Sequence, residues 1–314
     1  MDGVLVIDKP VGLTSHDVVA RARHILHERR IGHTGTLDPF ATGVLVILLG
    51  KATRLAQFLS GVDKEYEAII RLGYSTDTGD RTGTPIRGPE ESRVGPWDEH
   101  TIESAMKSFL GYIDQVPPMY SAKKIDGKKL YELARRGETV ERKPSRVCIH
   151  EFAAIKPEGQ LVKDNLDGTF DLHARVSCSS GTYVRTLAED FGKRLGVGAH
   201  LAELRRTRVG DLHVSDAITL DELKIHFGEE SIGTVLLPPG AALSWLPFVH
   251  LSAHDVRRTI HGREVEVTEV DWADGTDVKM CDAAAQLIAI GRYDEKQRRL
   301  HPRIVLAGED EIAK

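Results

Sequence analysis

The spacing of apolar residues predicts β-strands in four separate segments of the chain. Apolar and polar positions alternate over 64–73 and again over 169–178, which is the period of two that a half-buried strand requires. The segment 42–50 is apolar almost throughout and therefore predicts a strand buried on both faces. The segment 3–10 predicts a further strand close to the N-terminus.

A different spacing, with apolar residues three and four positions apart, predicts helices over 15–26, 52–63 and 182–196. Ser15 has a side chain typical of an N-cap and is predicted to cap the first helix. The third helix has an apolar stripe formed by Val184, Leu187, Phe191 and Leu195. Arg185 lies just beside this stripe, so its side chain need not point into bulk water.

These strands and helices do not alternate as regular βαβ units, so the pattern favours an α+β fold over a doubly wound one. A chain of 314 residues is long enough for two domains. The pattern changes near the Pro-containing and Gly-containing segment 236–248, and short β-rich pieces follow it. We therefore predict one domain over 1–247 and a small β domain over 248–314.

Composition and cysteine content narrow the class of protein. The chain is 41% hydrophobic and 28% charged, as ordinary soluble globular proteins are. Its three cysteines are far apart and form no CxxC pair, which is typical of a reducing compartment and excludes a thiolate zinc site. The N-terminus lacks the features of a signal peptide, and the longest apolar run, 44–49, is too short to span a membrane. We expect a cytoplasmic protein that does not bind membranes.

Positive charge is concentrated in two segments of a chain whose formal net charge is −5. Residues 121–146 contain nine Lys or Arg and four acidic residues, and residues 193–208 contain five and one. A solvated helix face accounts for most such runs. Two of them in one acidic chain nevertheless favour a polyanionic partner.

A single carboxylate stands out in the segment IGHTGTLDPFATGVLVILLG, residues 31–50, where Gly, Thr and apolar residues surround Asp38. The segment matches neither the phosphate-binding Walker pattern nor the dinucleotide fingerprint. Pro39 restricts Asp38 to an extended or turn backbone. Taken alone, the dipeptide is consistent with a turn Asp that bonds its own backbone as well as with a catalytic acid.

Six motifs occur in one order along the chain, and together they resemble those of the bacterial TruB family of tRNA pseudouridine synthases. They are KPVGLTSHDVV, GHTGTLDPFATGVL, KEYEAIIRLG, VPPMYSAKKIDGKKLYELARRG, CSSGTYVRTLAEDFG and AHLAELRRTRVG, and the resemblance extends from about residue 3 to residue 212. Members of this family isomerise the uridine at position 55 in the T loop of tRNA. The resemblance implies a pseudouridine synthase fold with a mixed, mainly antiparallel central sheet, followed by a PUA-like RNA-binding β-barrel.

The resemblance also implies the residues of the active site. Asp38 matches the catalytic Asp of the family, Arg185 matches the Arg that keeps it ionised and oriented, and Tyr66 matches the Tyr that stacks on the flipped uracil and assists proton removal. The family positions around the target base match His33, Tyr183, Lys9 and Leu204. Tyr183, Lys9 and Leu204 could equally belong to the core or the surface, and a lone His in a loop, such as His33, is usually a surface residue.

The two basic segments match RNA-binding parts of the family. Residues 121–146 match a thumb-like insertion over the RNA, and residues 193–208 lie near the RNA groove. The side chains expected to contact RNA are Lys123, Lys124, Lys128, Lys129, Arg205 and Arg206. Because isomerisation transfers no electron and no group, we expect no cofactor and no metal ion. We expect the T arm of tRNA as the partner, no obligatory protein partner, and a monomer.

Three other functions are consistent with parts of the pattern. A related pseudouridine synthase could act on ribosomal or guide-RNA-directed substrates, although the insertion over 116–137 is of the bacterial type. A non-catalytic RNA chaperone would have no need of Asp38, Tyr66 and Arg185, although one protein could combine chaperoning with catalysis. A retaining glycosidase would need a second carboxylate, and none accompanies Asp38 in its motif. The sequence also leaves open whether Asp38 attacks C1′ of the ribose, attacks C6 of uracil or removes the 2′ proton.

Overall fold

The computed structural model describes residues 1–86, 97–121, 123–125, 127–134, 136–268 and 270–308. The side chains of Lys124, Ile125 and Lys129 lie outside the described part of the chain. Two of the lysines predicted to contact RNA, Lys124 and Lys129, are therefore described by their backbone alone.

Strands and helices are distributed along the whole of the described chain. The strands are β1 (Gly3–Lys9), β2 (Ile31–His33), β3 (Thr42–Leu49), β4 (Lys64–Leu72), β5 (Ser75–Thr76), β6 (Pro85–Ile86), β7 (Gly111–Gln115), β8 (Lys124–Ile125), β9 (Lys128–Lys129), β10 (Ser145–Ala154), β11 (Val162–Asp164), β12 (Phe170–Cys178), β13 (Ala199–Val209), β14 (Leu212–His213), β15 (Phe248–His250), β16 (Val265–Glu266), β17 (Asp277–Cys281), β18 (Leu287–Asp294) and β19 (Arg299–Val305). The α-helices are α1 (Ser15–Leu26), α2 (Ala56–Leu59), α3 (Glu99–Lys107), α4 (Leu130–Ala134), α5 (Val184–Arg194), α6 (Leu220–Gly228) and α7 (Ala253–Ile260). Among the described residues, no helix has the length and apolar character needed to cross a membrane.

A large sheet of mixed, mainly antiparallel strands forms the centre of the fold. Its path runs β1–β3–β13–β4–β12–β10–β7, with β2 beside β3, β14 beside β13 and β11 beside β12. Strand β13 is parallel to β3, whereas the other neighbours along this path are antiparallel. The α+β class and the sheet type predicted from the sequence are confirmed.

The alternating strands bury the faces that their pattern predicts. In β4 the buried positions are Lys64, Tyr66, Ala68, Ile70 and Leu72, and the residues between them are partly or fully exposed. Helices α3 and α5 share one apolar cluster with β4, β12 and β13. Helices α1 and α6 form another with β1 and β3. The large sheet therefore has a helix-covered core on which loops and strand ends can position functional side chains.

A second sheet of five strands lies in the C-terminal part of the chain, in the order β15–β17–β18–β19–β16. Strand β15 begins at Phe248, where the sequence predicts the change to short β-rich pieces. One apolar cluster joins this sheet to the first one, with Leu287, Ile290 and Ile304 packing in the same group as Val4 and Leu55. The C-terminal β structure is thus present. The domain boundary after residue 247 stays a prediction, because apolar contacts cross it.

The chain leaves the large sheet between the paired strands β7 and β10. This excursion contains the hairpin β8–β9 and helix α4, and the predicted thumb-like insertion at 121–146 falls almost entirely on it. Lys123 and Lys128 are exposed there. Whether the excursion lies over RNA stays a prediction.

Two local predictions were wrong. The N-cap of α1 is Thr14 and not Ser15: the Thr14 side chain accepts a hydrogen bond from Asp17 N at 3.0 Å, and the Asp17 carboxylate accepts one from Thr14 N at 2.9 Å. The segment 52–63 is not one helix, because a 3-10 turn over Gly50–Leu55 precedes α2, and α2 is only one turn long. Ser60 and Gly61 follow α2 and are weak helix formers.

Candidate active site

The loop between β2 and β3 carries Asp38 and is tied to helix α1. Ser15 Oγ accepts a hydrogen bond from Leu37 N (2.9 Å) and donates one to Leu37 O (3.2 Å). Asp38 O accepts a hydrogen bond from Ala41 N at 3.1 Å, which closes a turn. The turn therefore uses the backbone carbonyl of Asp38 and leaves its carboxylate for other contacts.

Arg185 binds the Asp38 carboxylate through two nitrogens. Its Nε lies 2.9 Å from Oδ2, and its Nη2 lies 3.3 Å from Oδ1. Two backbone carbonyls hold the guanidinium, since Nη1 donates to Thr78 O (2.9 Å) and Nη2 donates to Tyr120 O (2.7 Å). The Arg185 side chain is 6% exposed and that of Asp38 is 33% exposed. The guanidinium of the pair is therefore buried, whereas the Asp38 carboxylate remains partly accessible from outside the protein.

Opposing electrostatic effects act on Asp38. Burial raises the pKa of its carboxyl group, and the charge of Arg185 lowers it. The neighbouring Asp80 raises this pKa further, and the net direction is upward. While it remains ionised, a carboxylate with a raised pKa is a stronger base than an exposed one.

A cavity of about 270 Å³ opens beside the Asp38–Arg185 pair. The predicted site residues that line it are Asp38, Tyr66, Tyr183, Arg185, Leu204 and Arg206. They come from the β2–β3 loop, β4, the start of α5 and β13, so the fold brings together residues that are far apart in sequence. Tyr183 is anchored by Gln115, whose side-chain amide bonds both Tyr183 N (3.0 Å) and Tyr183 O (3.3 Å).

Tyr66 points from β4 into the same cavity. It is 8% exposed, and burial raises the pKa of its phenol. The charge of Arg206 and a hydrogen bond from it act in the opposite direction. The phenol stays protonated at neutral pH, and its ring provides a flat apolar surface inside the site.

Lys9, at the end of β1, contacts the β2–β3 loop and is not among the described residues that line the cavity. Its buried ammonium donates to the carbonyls of Pro10 (2.9 Å), Leu13 (2.8 Å) and Pro39 (3.5 Å). Burial lowers the pKa of Lys9 to about 8, although the charge of Asp38 opposes this shift. Lys9 therefore ties β1 to the residue that follows Asp38.

His33 likewise lies outside the described lining of the cavity. Its ring packs edge to face on that of His16, with the ring centroids 5.4 Å apart. Burial lowers the pKa of His33, and the neighbouring His16 and Arg206 lower it further. The imidazole is therefore mainly neutral at pH 7, and its predicted contact with the target base stays a prediction.

The two arginines predicted to contact RNA have different environments. Arg205 is 40% exposed and binds both oxygens of Asp8, at 3.0 and 2.6 Å. Arg206 is 1% exposed, and its guanidinium donates to Val44 O (2.7 Å) and Gly35 O (3.2 Å). Any contact of Arg206 with RNA must therefore be made inside the cavity.

Sequence reasoning did not find two residues of the site, Asp80 and Lys64. Asp80 Oδ2 lies 3.9 Å from Arg185 Nη1, and its Oδ1 accepts hydrogen bonds from Thr78 Oγ1 (2.9 Å) and from Thr82 N (2.9 Å). The only local signal is the segment TDTGDRTGT, residues 76–84, which predicts a turn. Lys64 begins β4, where the alternating pattern marks it as buried, and it lines the cavity.

Solved structures that resemble this chain define its class. The structure of an H/ACA RNP bound to a substrate RNA containing 2′-deoxyuridine matches with a TM-score of 0.74 and 28% identity, covering 98% of this chain and 86% of that one. The crystal structure of a Cbf5–Nop10–Gar1 complex matches with a TM-score of 0.73 and 28% identity, covering 99% and 87%. The sheet order and these matches define a pseudouridine synthase fold.

Sequence comparisons identify the family. The model for the N-terminal domain of TruB family pseudouridylate synthases matches residues 23–184, and that for the C-terminal domain of tRNA pseudouridylate synthase B matches residues 185–244. The tRNA pseudouridine synthase B of Thermobifida fusca is 48% identical over 84% of this chain and 86% of its own, and that of Burkholderia mallei is 45% identical over 94% of each. The chain belongs to the TruB family.

Proposed function

We propose that this chain converts the uridine at position 55 in the T loop of tRNA to pseudouridine, with Asp38 as the catalytic residue. The observation that carries the proposal is the Asp38 carboxylate, which Arg185 holds at the edge of a cavity lined by Tyr66. Relatives named tRNA pseudouridine synthase B, at 45% and 48% identity, support tRNA as the substrate. We propose that the chain acts as a monomer in the cytoplasm, without an obligatory protein partner.

The reaction requires one carboxylate and no cofactor. The C1′–N1 bond breaks, the uracil turns, and C1′ joins C5, while C5 loses a proton and N1 gains one. Asp38 can attack C1′, attack C6 of the base or remove the 2′ proton, and each route needs its ionised form. Arg185 favours that form against the opposing effect of burial, because its two contacts stabilise the charge and orient both oxygens.

A uridine in a folded T loop must leave its stack before Asp38 can reach it. Extrusion of a base costs a few kcal/mol. Contacts inside the cavity and with the RNA backbone must offset this cost, and Tyr66, Leu204 and Tyr183 provide apolar surface for the base. The exposed lysines of the excursion between β7 and β10 provide charge for the backbone.

The solved structures that resemble this chain include a ribonucleoprotein, the H/ACA RNP, so a synthase that needs a further RNA, such as a guide RNA, is the second candidate. The two candidates differ in what the purified chain needs. We expect it to form pseudouridine at position 55 of an unmodified tRNA transcript with no other RNA or protein present, as read by mapping the modified position. A requirement for an added guide RNA would instead support the second candidate.

Substitutions of Tyr66 separate two roles of its side chain. If the ring only stacks on the base, Tyr66→Phe keeps most activity, and Tyr66→Ala loses roughly 1–3 kcal/mol of base–aromatic stacking. If the hydroxyl handles a proton, we expect Tyr66→Phe to stall after the C1′–N1 bond has broken. Single-turnover assays that follow bond cleavage and product formation separately distinguish the two. Wild-type rates in both variants would mean that Tyr66 is only a structural residue of β4.

Neutralising Lys123 and Lys128 tests the excursion between β7 and β10. We expect Lys123→Gln with Lys128→Gln to raise KM and to flatten the salt dependence of tRNA binding, by about 0.7–0.9 in the log–log slope for each phosphate that is no longer neutralised. The kcat at saturating tRNA should change less, because these groups do not touch the reacting atoms. Lys224→Gln, on the exposed side of α6, is the matched control. An unchanged KM at every salt concentration would mean that the two lysines only solvate the surface.

A further inference from the structure

Two buried cations lie next to each other on the wall of the cavity. Lys64 is 5% exposed and Arg206 is 1% exposed, and both line the cavity beside Tyr66. Arg206 pairs with Tyr66 across strands β13 and β4. The side chains also converge on the same loop residue, since a Cβ atom built on Gly35 would lie 3.7 Å from Arg206 Nη1 and 3.8 Å from Lys64 Cε.

Neutral groups accept the hydrogen bonds of these two cations. Lys64 Nζ donates to Ser60 O (2.9 Å) and Val62 O (2.5 Å), and Arg206 donates to the carbonyls of Val44 and Gly35. Within the described part of the chain, neither forms an ion pair with a carboxylate. Burying a charge without a counter-charge is costly. Burial lowers the pKa of Lys64 to about 8, and Arg206 lowers it further, so Lys64 is still mainly charged at pH 7.

The chain provides an internal comparison in Lys9, whose pKa burial also lowers to about 8. The Lys9 ammonium contacts three carbonyls, which match its three N–H donors. A nearby carboxylate opposes the pKa shift of each lysine, Asp38 for Lys9 and Asp63 for Lys64, so charge does not distinguish the two. Lys64 contacts two carbonyls, and it lines the cavity while Lys9 is not among the described residues that do. The structural role that accounts for Lys9 therefore leaves one donor of Lys64 unexplained.

The proposed reaction creates negative charge on the base. When the C1′–N1 bond breaks, its electron pair leaves with the uracil, and the resulting anion shares its charge among N1, O2 and O4. If Asp38 instead adds to C6, the electrons of the C5–C6 bond move toward C4 and the charge develops on O4. In every route left open for Asp38, an oxygen of the base becomes more negative than in the bound substrate.

We propose that Lys64 and Arg206 form an electrostatic site that stabilises the negative charge developing on the uracil. This charge develops either when the C1′–N1 bond breaks or when Asp38 adds to C6. This inference rests on the proposed function and adds two residues to it. Asp38 acts at the sugar or at C6, and the two cations act on the oxygens of the base. A preorganised donor in a site of low dielectric stabilises the transition state more than the ground state.

The test compares uridine with 5-fluorouridine at position 55 in otherwise identical tRNA transcripts. Fluorine withdraws electrons from the ring and stabilises the uracil anion, so the chemical step depends less on help from the protein. Single-turnover consumption of the target nucleoside is measured after digestion and chromatography, for the wild type and for Lys64→Met. Dissociation constants for both RNAs are measured in parallel.

We expect Lys64→Met to slow the consumption of uridine by roughly 100-fold, in line with the removal of one preorganised donor. Its tRNA affinity should stay near that of the wild type. With 5-fluorouridine, the deficit of the variant, meaning the factor by which it is slower than the wild type, should be at least several-fold smaller than with uridine. Lys9→Met provides the matched comparison, because the removal of a structural lysine should slow both substrates equally. Lys224→Met, which removes a charge from the exposed side of α6, should leave both rates unchanged.

An equal deficit of Lys64→Met with both substrates, or no deficit, overturns the inference. Lys64→Gln keeps a donor for the two carbonyls and replaces Lys64→Met if that variant does not fold. The wild-type reaction in the same experiment separates the two levels of the proposal. If wild-type protein leaves uridine 55 unmodified, the proposed function fails. If the wild type modifies uridine 55 normally, but Lys64→Met is slowed no less with 5-fluorouridine than with uridine, only the role of Lys64 and Arg206 fails.

Discussion

We expect Asp38→Asn to reduce pseudouridine formation by at least about 10³-fold, the upper part of the range for a positioned acid or base. The amide keeps the shape of the side chain and can still accept one hydrogen bond from Arg185. It cannot attack carbon or take a proton as a carboxylate does. Single-turnover kinetics on a tRNA transcript measure the decrease, and a binding assay with the same RNA should give a dissociation constant close to that of the wild type.

The same variant should remain folded. Because the pKa of Asp38 is raised on folding, its ionised form is less stable in the native protein than in the unfolded chain. Above the unfolded pKa the ionised form is therefore less favourable to stability than the protonated form would be. The variant loses the charge that faces the buried Arg185, but Arg185 keeps its contacts with Thr78 O, Tyr120 O and Asp80, so we expect a folded protein, which a thermal melt checks. A well-folded Asp38→Asn protein with more than a few per cent of wild-type activity would remove Asp38 from the catalytic role.

The second large effect is expected from Arg185→Lys, with a decrease of roughly 100-fold in activity for a carboxylate that is no longer held in its productive geometry. A lysine keeps the charge but replaces the planar fork that contacts both oxygens of Asp38. It also cannot reproduce the simultaneous contacts with the carbonyls of Thr78 and Tyr120. The decrease should appear in kcat more than in KM.

The pH profile provides a readout that general misfolding would not give. Burial raises the pKa of Asp38, and Arg185 is the main group that lowers it. Weakening this contact should move the acid limb of the profile to higher pH, because Asp38 must be ionised to act. If Arg185→Lys has wild-type activity and an unchanged acid limb, the pair is not part of the catalytic machinery.

The sequence predicted which face of a single strand or helix is buried, because that depends on residues close together in the chain. The alternation in 64–73 reports which residues of β4 are buried, because the side chains of a strand point to opposite faces in turn. The apolar stripe of α5 likewise left Arg185 at its edge, and this side chain is buried against Asp38. Periodicity gives such faces directly.

The electrostatic surroundings of the site could not be read in the same way. Asp80 meets Arg185 only because a turn after β5 packs beside the start of α5, and its own segment predicts no more than a turn. The family resemblance placed the basic segment that contains Arg206 near the RNA groove, and the pairing of β13 with β4 and β3 buries this side chain. Ser15 was predicted as a cap, and its buried hydroxyl instead holds Leu37 next to Asp38. These contacts join segments that are distant in sequence, and no local pattern encodes them.

The measurement that tests the central claim most directly uses a tRNA transcript carrying tritium at C5 of its uridines. Formation of pseudouridine replaces the C5 hydrogen with the C1′ bond and therefore releases the label into water. We predict that the wild-type chain alone releases the label of one uridine per tRNA, that the modified nucleotide maps to position 55, and that Asp38→Asn releases none. Absence of release by a folded wild-type protein, or release that maps outside the T loop, would contradict the account.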